Sequence, residues 1–164
     1  MTVLALLAVL LLVLAFGIRQ SIKALSPIPE KLGVFYGQLK PCPEFPNCVS
    51  SQATRPENKI DPILFTGVDR QVAYGLLKEA ISEMPRAIVL VSRVDYMHVE
   101  FHSKLWGFRD DVEFALDESR GQMEVRSASR LGKGDLGVNR QRVEDIRKRF
   151  DTKLTALLQG QKGS

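Results

Sequence analysis

Alternation is the pattern that most narrows the fold. Along residues 96–103, Met97, Val99 and Phe101 point one way, and His98, Glu100 and His102 point the other. Along residues 109–116, Val112, Phe114 and Leu116 alternate with Asp111, Glu113 and Ala115. Along residues 122–127, Met123 and Val125 alternate with Glu124 and Arg126. Period two means strands with one apolar face. Residues 87–94 are almost continuously apolar and read as a central strand. The connections are short, so the pairing is expected to be antiparallel.

Two stretches switch to helical spacing. Asp69 is placed to cap a helix carrying Val72, Ala73, Leu76, Leu77, Ala80, Ile81 and Met84, which Pro85 ends. A closing helix carries Val143, Ile146, Phe150, Leu154 and Leu157, with Arg, Lys, Glu and Asp opposite. The expected fold is α+β: an antiparallel sheet of about four strands with two amphipathic helices on one face, preceded by an N-terminal hydrophobic helix. The other face, with His98, Glu100, His102, Asp111, Glu113, Glu124 and Arg126, then reads as a solvated surface with charge pairs of about 0.2–1 kcal/mol each.

Residues 3–18 are apolar without a break, which suits a short membrane span or a signal peptide. No basic residue precedes the run, and the anchor reading is preferred. Arg19 and Lys23 after it favour a cytoplasmic domain by the positive-inside tendency. The cysteine pair favours the extracytoplasmic side, which is the expected location. The division is residues 1–22 as membrane anchor or signal segment, 23–40 as an extended linker punctuated by Pro and Gly, and 41–160 as the globular domain.

Cys42 and Cys48 flank a Pro-rich loop, P-C-P-E-F-P-N-C. A disulfide is the leading reading, with free thiols or a metal or redox pair as alternatives. His98 and His102 lie roughly 13 Å apart on a strand, too far to share a metal ion. No metal or cofactor is expected. The net charge of +4 permits an anionic partner, while 7% aromatics and the lack of interleaved basic runs speak against nucleic acid.

Chemistry-bearing groups concentrate where the last strand meets the closing helix, in E-V-R-S-A-S-R-L-G-K-G-D-L-G-V-N-R-Q-R. The candidate ligand-binding residues are Arg126, Ser127, Ser129, Arg130, Lys133, Asn139 and Arg142, with Asp110, Asp111 and Asp135 as supporting acids. Arginine forks and the N–H groups of a Gly-rich helix start can hold a phosphate or carboxylate. Alternatively, the arginines pair with the aspartates, and Ser127, Ser129 and Asn139 satisfy backbone groups. The motif is neither a Walker loop nor a dinucleotide fingerprint. Asp110 and Asp111, being adjacent on a strand, point to opposite faces, and Trp106 and Phe108 form an aromatic tip or a buried corner.

The leading expectation is a non-catalytic envelope module that binds an anionic small molecule, a lipid headgroup or a partner protein through this junction. One rival is a hydrolase with Ser50 or Ser51 as nucleophile, His98 or His102 as base and Asp110 or Asp111 as orienter, without a G-x-S-x-G elbow. Another is a purely structural assembly factor.

Three motifs in order, C-P-E-F-P-N-C-V-S-S, G-F-R-D-D-V-E-F and the junction, resemble the bacterial and plastid family known as domain of unknown function fourteen-ninety-nine. The resemblance runs from about residue 40 to 150. It implies a secreted or anchored protein and lends no established reaction. Its signature positions here include Cys42, Asn47, Cys48, Ser50, Ser51, Phe108, Asp110, Asp111, Arg126, Ser127, Ser129, Arg130, Gly132, Asp135, Gly137, Asn139 and Arg142.

Overall fold

The computed structural model describes residues 2–162. In chain order the elements are α1 (Val3–Leu25), β1 (Cys48–Ser50), β2 (Ile63–Leu64), α2 (Arg70–Ser82), β3 (Ala87–Arg93), β4 (Tyr96–His102), β5 (Arg109–Asp117), β6 (Gln122–Ser129) and α3 (Val138–Lys162). The fold is α+β with an antiparallel sheet. The sheet has six strands rather than about four, in the order β1-β6-β5-β4-β3, with β2 also on β6. The two extra strands hold three and two residues. Runs that short carry no readable alternation.

A second correction concerns residues 87–94. Strand β3 forms an edge, not the centre, because among the described residues it has β4 as its one neighbour. Ile88, Val89 and Leu90 are accordingly exposed. An apolar run records a preference for burial, but it does not say how many neighbours the strand will have.

The helix side of the sheet is apolar as the alternation predicts. Met97, Val99, Phe101, Val112, Phe114, Leu116, Met123 and Val125 meet Ala73, Leu77, Ala80 and Ile81 of α2, and Val143, Ile146, Phe150 and Leu154 of α3. Asp69 caps α2 by accepting from the Val72 N–H at 2.8 Å. The closing helix runs to Lys162.

The opposite side differs from expectation. It is not solvated: His98, Glu100, Asp111, Glu113, Glu124 and Arg126 are each no more than 6% exposed. The stretch expected as a linker lies across it as a strap. Ser26 is fully buried, and its carbonyl accepts from Arg130 Nη1 at 3.1 Å. The Gly33 N–H donates to Glu113 Oε1 at 2.8 Å. Gly33 has φ of 121°, a conformation open in practice to glycine alone. Leu39 is buried, and its N–H donates to Gln52 Oε1 at 2.8 Å.

Helix α1 is long and apolar enough to cross a membrane, and none of its most apolar window is buried by the rest of the chain. Its 23 residues extend roughly 35 Å, against about 30 Å of bilayer hydrocarbon. The same length and position also suit a signal sequence. Cys42 and Cys48 form a disulfide, with Cα atoms 5.6 Å apart, that closes the Pro-rich loop immediately before β1.

Phe150 is fully buried where α3 meets the sheet. Phe150→Ala is expected to cost about 3–5 kcal/mol. Denaturant unfolding of the detergent-solubilised chain, followed by far-ultraviolet circular dichroism, checks this.

Candidate functional site

The pleat of β6 divides the junction in two. Arg126 and Arg130 go to the strap side, while Ser127 and Ser129 go to the helix side. Asp110 and Asp111 of β5 divide in the same way. The residues that the sequence groups together therefore belong to two separate networks on opposite faces of one sheet.

On the strap side, Arg130 grips Asp111 with two bonds, Nη2 to Oδ1 at 2.6 Å and Nε to Oδ2 at 2.8 Å. Its Nη1 lies 2.6 Å from Glu100 Oε2. The side chains of Arg130 and Asp111 are each 2% exposed. His98 Nε2 is 2.7 Å from Asp111 Oδ1, and His102 Nε2 is 2.5 Å from Glu100 Oε1. Arg126 Nη1 donates to Glu113 Oε2 at 3.1 Å, and the Tyr96 hydroxyl donates to Glu113 Oε1 at 2.8 Å. Glu124 accepts from Ser51 at 2.5 Å. Cross-strand neighbours set these partners, since Glu100 faces Asp111 and Glu113 faces Arg126 in the register.

Burial opposes the charge on Asp111, but bonds from Arg130 and His98 outweigh it and hold the carboxyl below the usual range. Glu100 is also lowered: burial is overcome by His102, Arg130 and Arg109. Burial, reinforced by the neighbouring Glu113 carboxylate, pushes the Tyr96 phenol far above its ordinary value.

On the helix side, Arg142 Nη2 donates to Asp110 Oδ2 at 2.5 Å, and its Nη1 donates to Asn139 Oδ1 at 2.6 Å. The Ser127 hydroxyl donates to the same Asn139 oxygen at 2.6 Å. Asn139 Nδ2 reaches Ser129 Oγ at 2.9 Å and the Asn47 carbonyl at 3.0 Å. Asn47 returns a bond from Nδ2 to the Gly132 carbonyl at 2.7 Å. The disulfide loop is thus buttoned onto the junction. Asp135 fills the N-terminus of α3, accepting from the N–H groups of Gly137 at 3.0 Å and Asn139 at 2.8 Å. Lys133 is exposed, with its ammonium 5.2 Å from the Phe45 ring centre.

Of the three candidate arginines Arg126, Arg130 and Arg142, Arg142 borders an open cleft. This cleft, of about 410 Å³, is also lined by Arg86, His102, Ser103, Asp110, Gln141, Asp145 and Arg149. Arg142 also lies over the Phe101 ring, 4.9 Å from its centre.

The residues suggested for a hydrolase do not meet. The Ser51 hydroxyl donates to Glu124 and accepts from the Val125 N–H, while Ser50 Oγ accepts from the Gln52 N–H. Strands β1 and β4 are separated by β6 and β5, which puts these serines about 14 Å from the histidine strand. Among the described residues there is no cluster of His, Cys, Asp or Glu that could hold a metal.

Sequence reasoning did not foresee the parts of Ser26 and Gly33. Their roles depend on backbone groups, which leave no mark on side-chain pattern. Glu113, the buried partner of Arg126, stands in the sequence as an alternating residue whose pattern alone reads as solvent-facing.

Asp111→Asn leaves Arg130 with half its compensation, and is expected to destabilise the folded chain by about 3 kcal/mol, since breaking a buried pair costs 3–5 kcal/mol and Glu100 stays in place. The pH dependence follows from the lowered carboxyls. Asp111 and Glu100 stabilise the fold while ionised, so their contribution is complete above about pH 5 and is lost as pH falls below about 4, through their folded-state values. Thermal unfolding followed as pH falls below about 4 should show a steep acid slope that is shallower in Asp111→Asn.

Residues 38–150 match the family described as Protein of unknown function (DUF1499). The matched region takes in the disulfide loop, the whole sheet, α2 and half of α3, while α1 and most of the strap precede it. No curated protein and no solved structure matches the chain. With the cysteine loop, the paired aspartates and the junction all inside the match, the chain belongs to the DUF1499 family.

Proposed function

We propose that the chain is a membrane-tethered, non-catalytic module that docks a protein partner along the open edge of β3. The observation carrying this reading is the edge itself. Ile88, Val89 and Leu90 are 46%, 44% and 38% exposed, beside backbone groups that face no neighbouring strand. No charged residue interrupts residues 87–92. Such an edge is a template for an added strand, whose main chain would supply affinity and whose alternating apolar side chains would supply selectivity. The buried networks fit a rigid scaffold better than a reactive centre. The tether is α1, with its domain on the extracytoplasmic side, where the disulfide would persist.

A photo-crosslinking residue at position 89 is expected to give one discrete adduct in native membranes, and the same residue at exposed position 78 none. A further Leu90→Lys change should abolish the adduct while leaving the unfolding temperature within a few degrees of its original value. Absence of an adduct at position 89 would overturn the reading, and an adduct of twice the chain mass would identify the partner as a second copy.

The cleft beside Arg142 supports a second reading, an anionic ligand. Arg130 and Arg126 would have to leave buried carboxylates to bind one, at about 3–5 kcal/mol. Arg142 already borders open space, and Arg86 beside it donates through Nε to the His102 carbonyl and meets no carboxylate among the described residues. If the cleft takes a phosphate ester, calorimetry with glycerol phosphate should show salt-sensitive binding that weakens at least fivefold in Arg86→Gln. Equal, salt-insensitive heats from both proteins would remove this reading.

A further inference from the structure

We propose that the end of the sheet nearest α1 seats on the bilayer surface and binds the phosphate of an anionic phospholipid. The inference rests on the reading that α1 crosses the membrane. Two features converge at the level of Arg19, the first charged residue after the apolar run.

The first feature is a basic notch. Arg19, Gln20 and Lys23 of α1 face His102, Gly107 and Arg109 of the β4–β5 hairpin across a volume of about 240 Å³. Gly107 brings the hairpin backbone close: a Cβ there would lie 3.5 Å from Arg19 Nε. The Arg19 and Lys23 side chains form no hydrogen bond or ion pair among the described residues. No acid lines the notch, and Glu100 behind it is engaged by His102 and Arg130 at 2.5 and 2.6 Å, with Arg109 at 3.6 Å. The notch therefore carries uncompensated positive charge where lipid phosphates would lie. Helix ends carrying Lys and Arg favour that depth, and each basic group near an anionic surface adds attraction.

The second feature is the hairpin tip beside it. Leu105, Trp106 and Phe108 are 70%, 38% and 41% exposed, flanked by Lys104 and Arg109. An exposed aromatic and aliphatic tip bordered by basic residues matches the headgroup boundary, where amphipathic rings partition. The tip is also held in place. Ser26, at the start of the strap, is locked to Arg130, and it lies seven positions, roughly 10 Å of helix, beyond Arg19. The domain body rides at the height of Ser26, and the hairpin reaches down α1 to the height of the phosphates.

Trp106 is the sole tryptophan in the chain, so its fluorescence reads the tip without substitution. The full chain is reconstituted into phosphatidylcholine vesicles with or without phosphatidylglycerol, with bromine placed on the acyl chains of one lipid or the other. Expected results are a blue-shifted Trp106 emission shielded from iodide, and at least twofold stronger quenching by brominated phosphatidylglycerol than by brominated phosphatidylcholine at equal mole fraction. Arg19→Gln with Lys23→Gln should equalise the two lipids while the chain still floats with the vesicles. Equal quenching by both lipids in the unsubstituted chain overturns the proposal, as does water-like emission from a chain that floats. Millimolar inorganic phosphate that erases the lipid preference would assign the notch to free phosphate and overturn the lipid assignment. A chain that fails to float overturns the tether reading, and this one with it.

Discussion

The structure depends on charge compensation beneath the strap. A sheet face bearing Glu100, Asp111, Glu113, Glu124, Arg126 and Arg130 would be harmless in water, where each charge is solvated. Covered by residues 26–40, the same face must pair every charge internally, because an unpaired buried ion costs several kcal/mol. The register supplies the pairs. Glu100 faces Asp111 across β4 and β5, and Arg130 spans both carboxylates; Glu113 faces Arg126 across β5 and β6. Such a layer contributes little net stability over apolar packing, but it tolerates no change of register, since a slip of one residue would send each carboxylate to the helix face.

The two faces of the sheet thus perform different tasks with the same strands. The helix side obtains its stability from apolar burial against α2 and α3. The strap side obtains a unique arrangement from bonds of defined geometry. The junction motif serves both, because consecutive residues of β6 alternate between them. That explains why so many polar groups crowd into one short stretch. Arg126 and Arg130 close the charged layer, while Ser127, Ser129, Asn139 and Arg142 fasten the start of α3 and the disulfide loop through Asn47.

The long elements were legible in the sequence. Alternation gave β4, β5 and β6, helical spacing gave α2 and α3, and Asp69 marked a helix start. Three things were not legible, each for a physical reason. Strands β1 and β2 are too short for periodicity to register, and they form only because β6 offers an unpaired edge. The position of β3 depends on sheet order, which its own composition does not encode. The strap lacks repeating pattern altogether: it is held by the Ser26 carbonyl and the Gly33 N–H, and backbone groups are the same in every residue. Of the candidate site, the identities of the charged residues were visible, and so was the opposition of Asp110 to Asp111. Whether their guanidinium partners pointed to solvent or inward was not, since that is decided by the cover.

The bond between the Ser26 carbonyl and Arg130 joins residues 104 positions apart. Ser26 emerges early in synthesis, directly behind α1, and Arg130 emerges near the end. The Glu113 acceptor for the Gly33 N–H arrives with β5, but the strap has no guanidinium for its Ser26 carbonyl until Arg130 follows β6, so it cannot be fastened at both points while the chain is still growing through the sheet. Closure of the strap is therefore a late event, and it is the moment at which the hydrophobic helix ceases to be an independent appendage and acquires a set bearing on the rest of the protein.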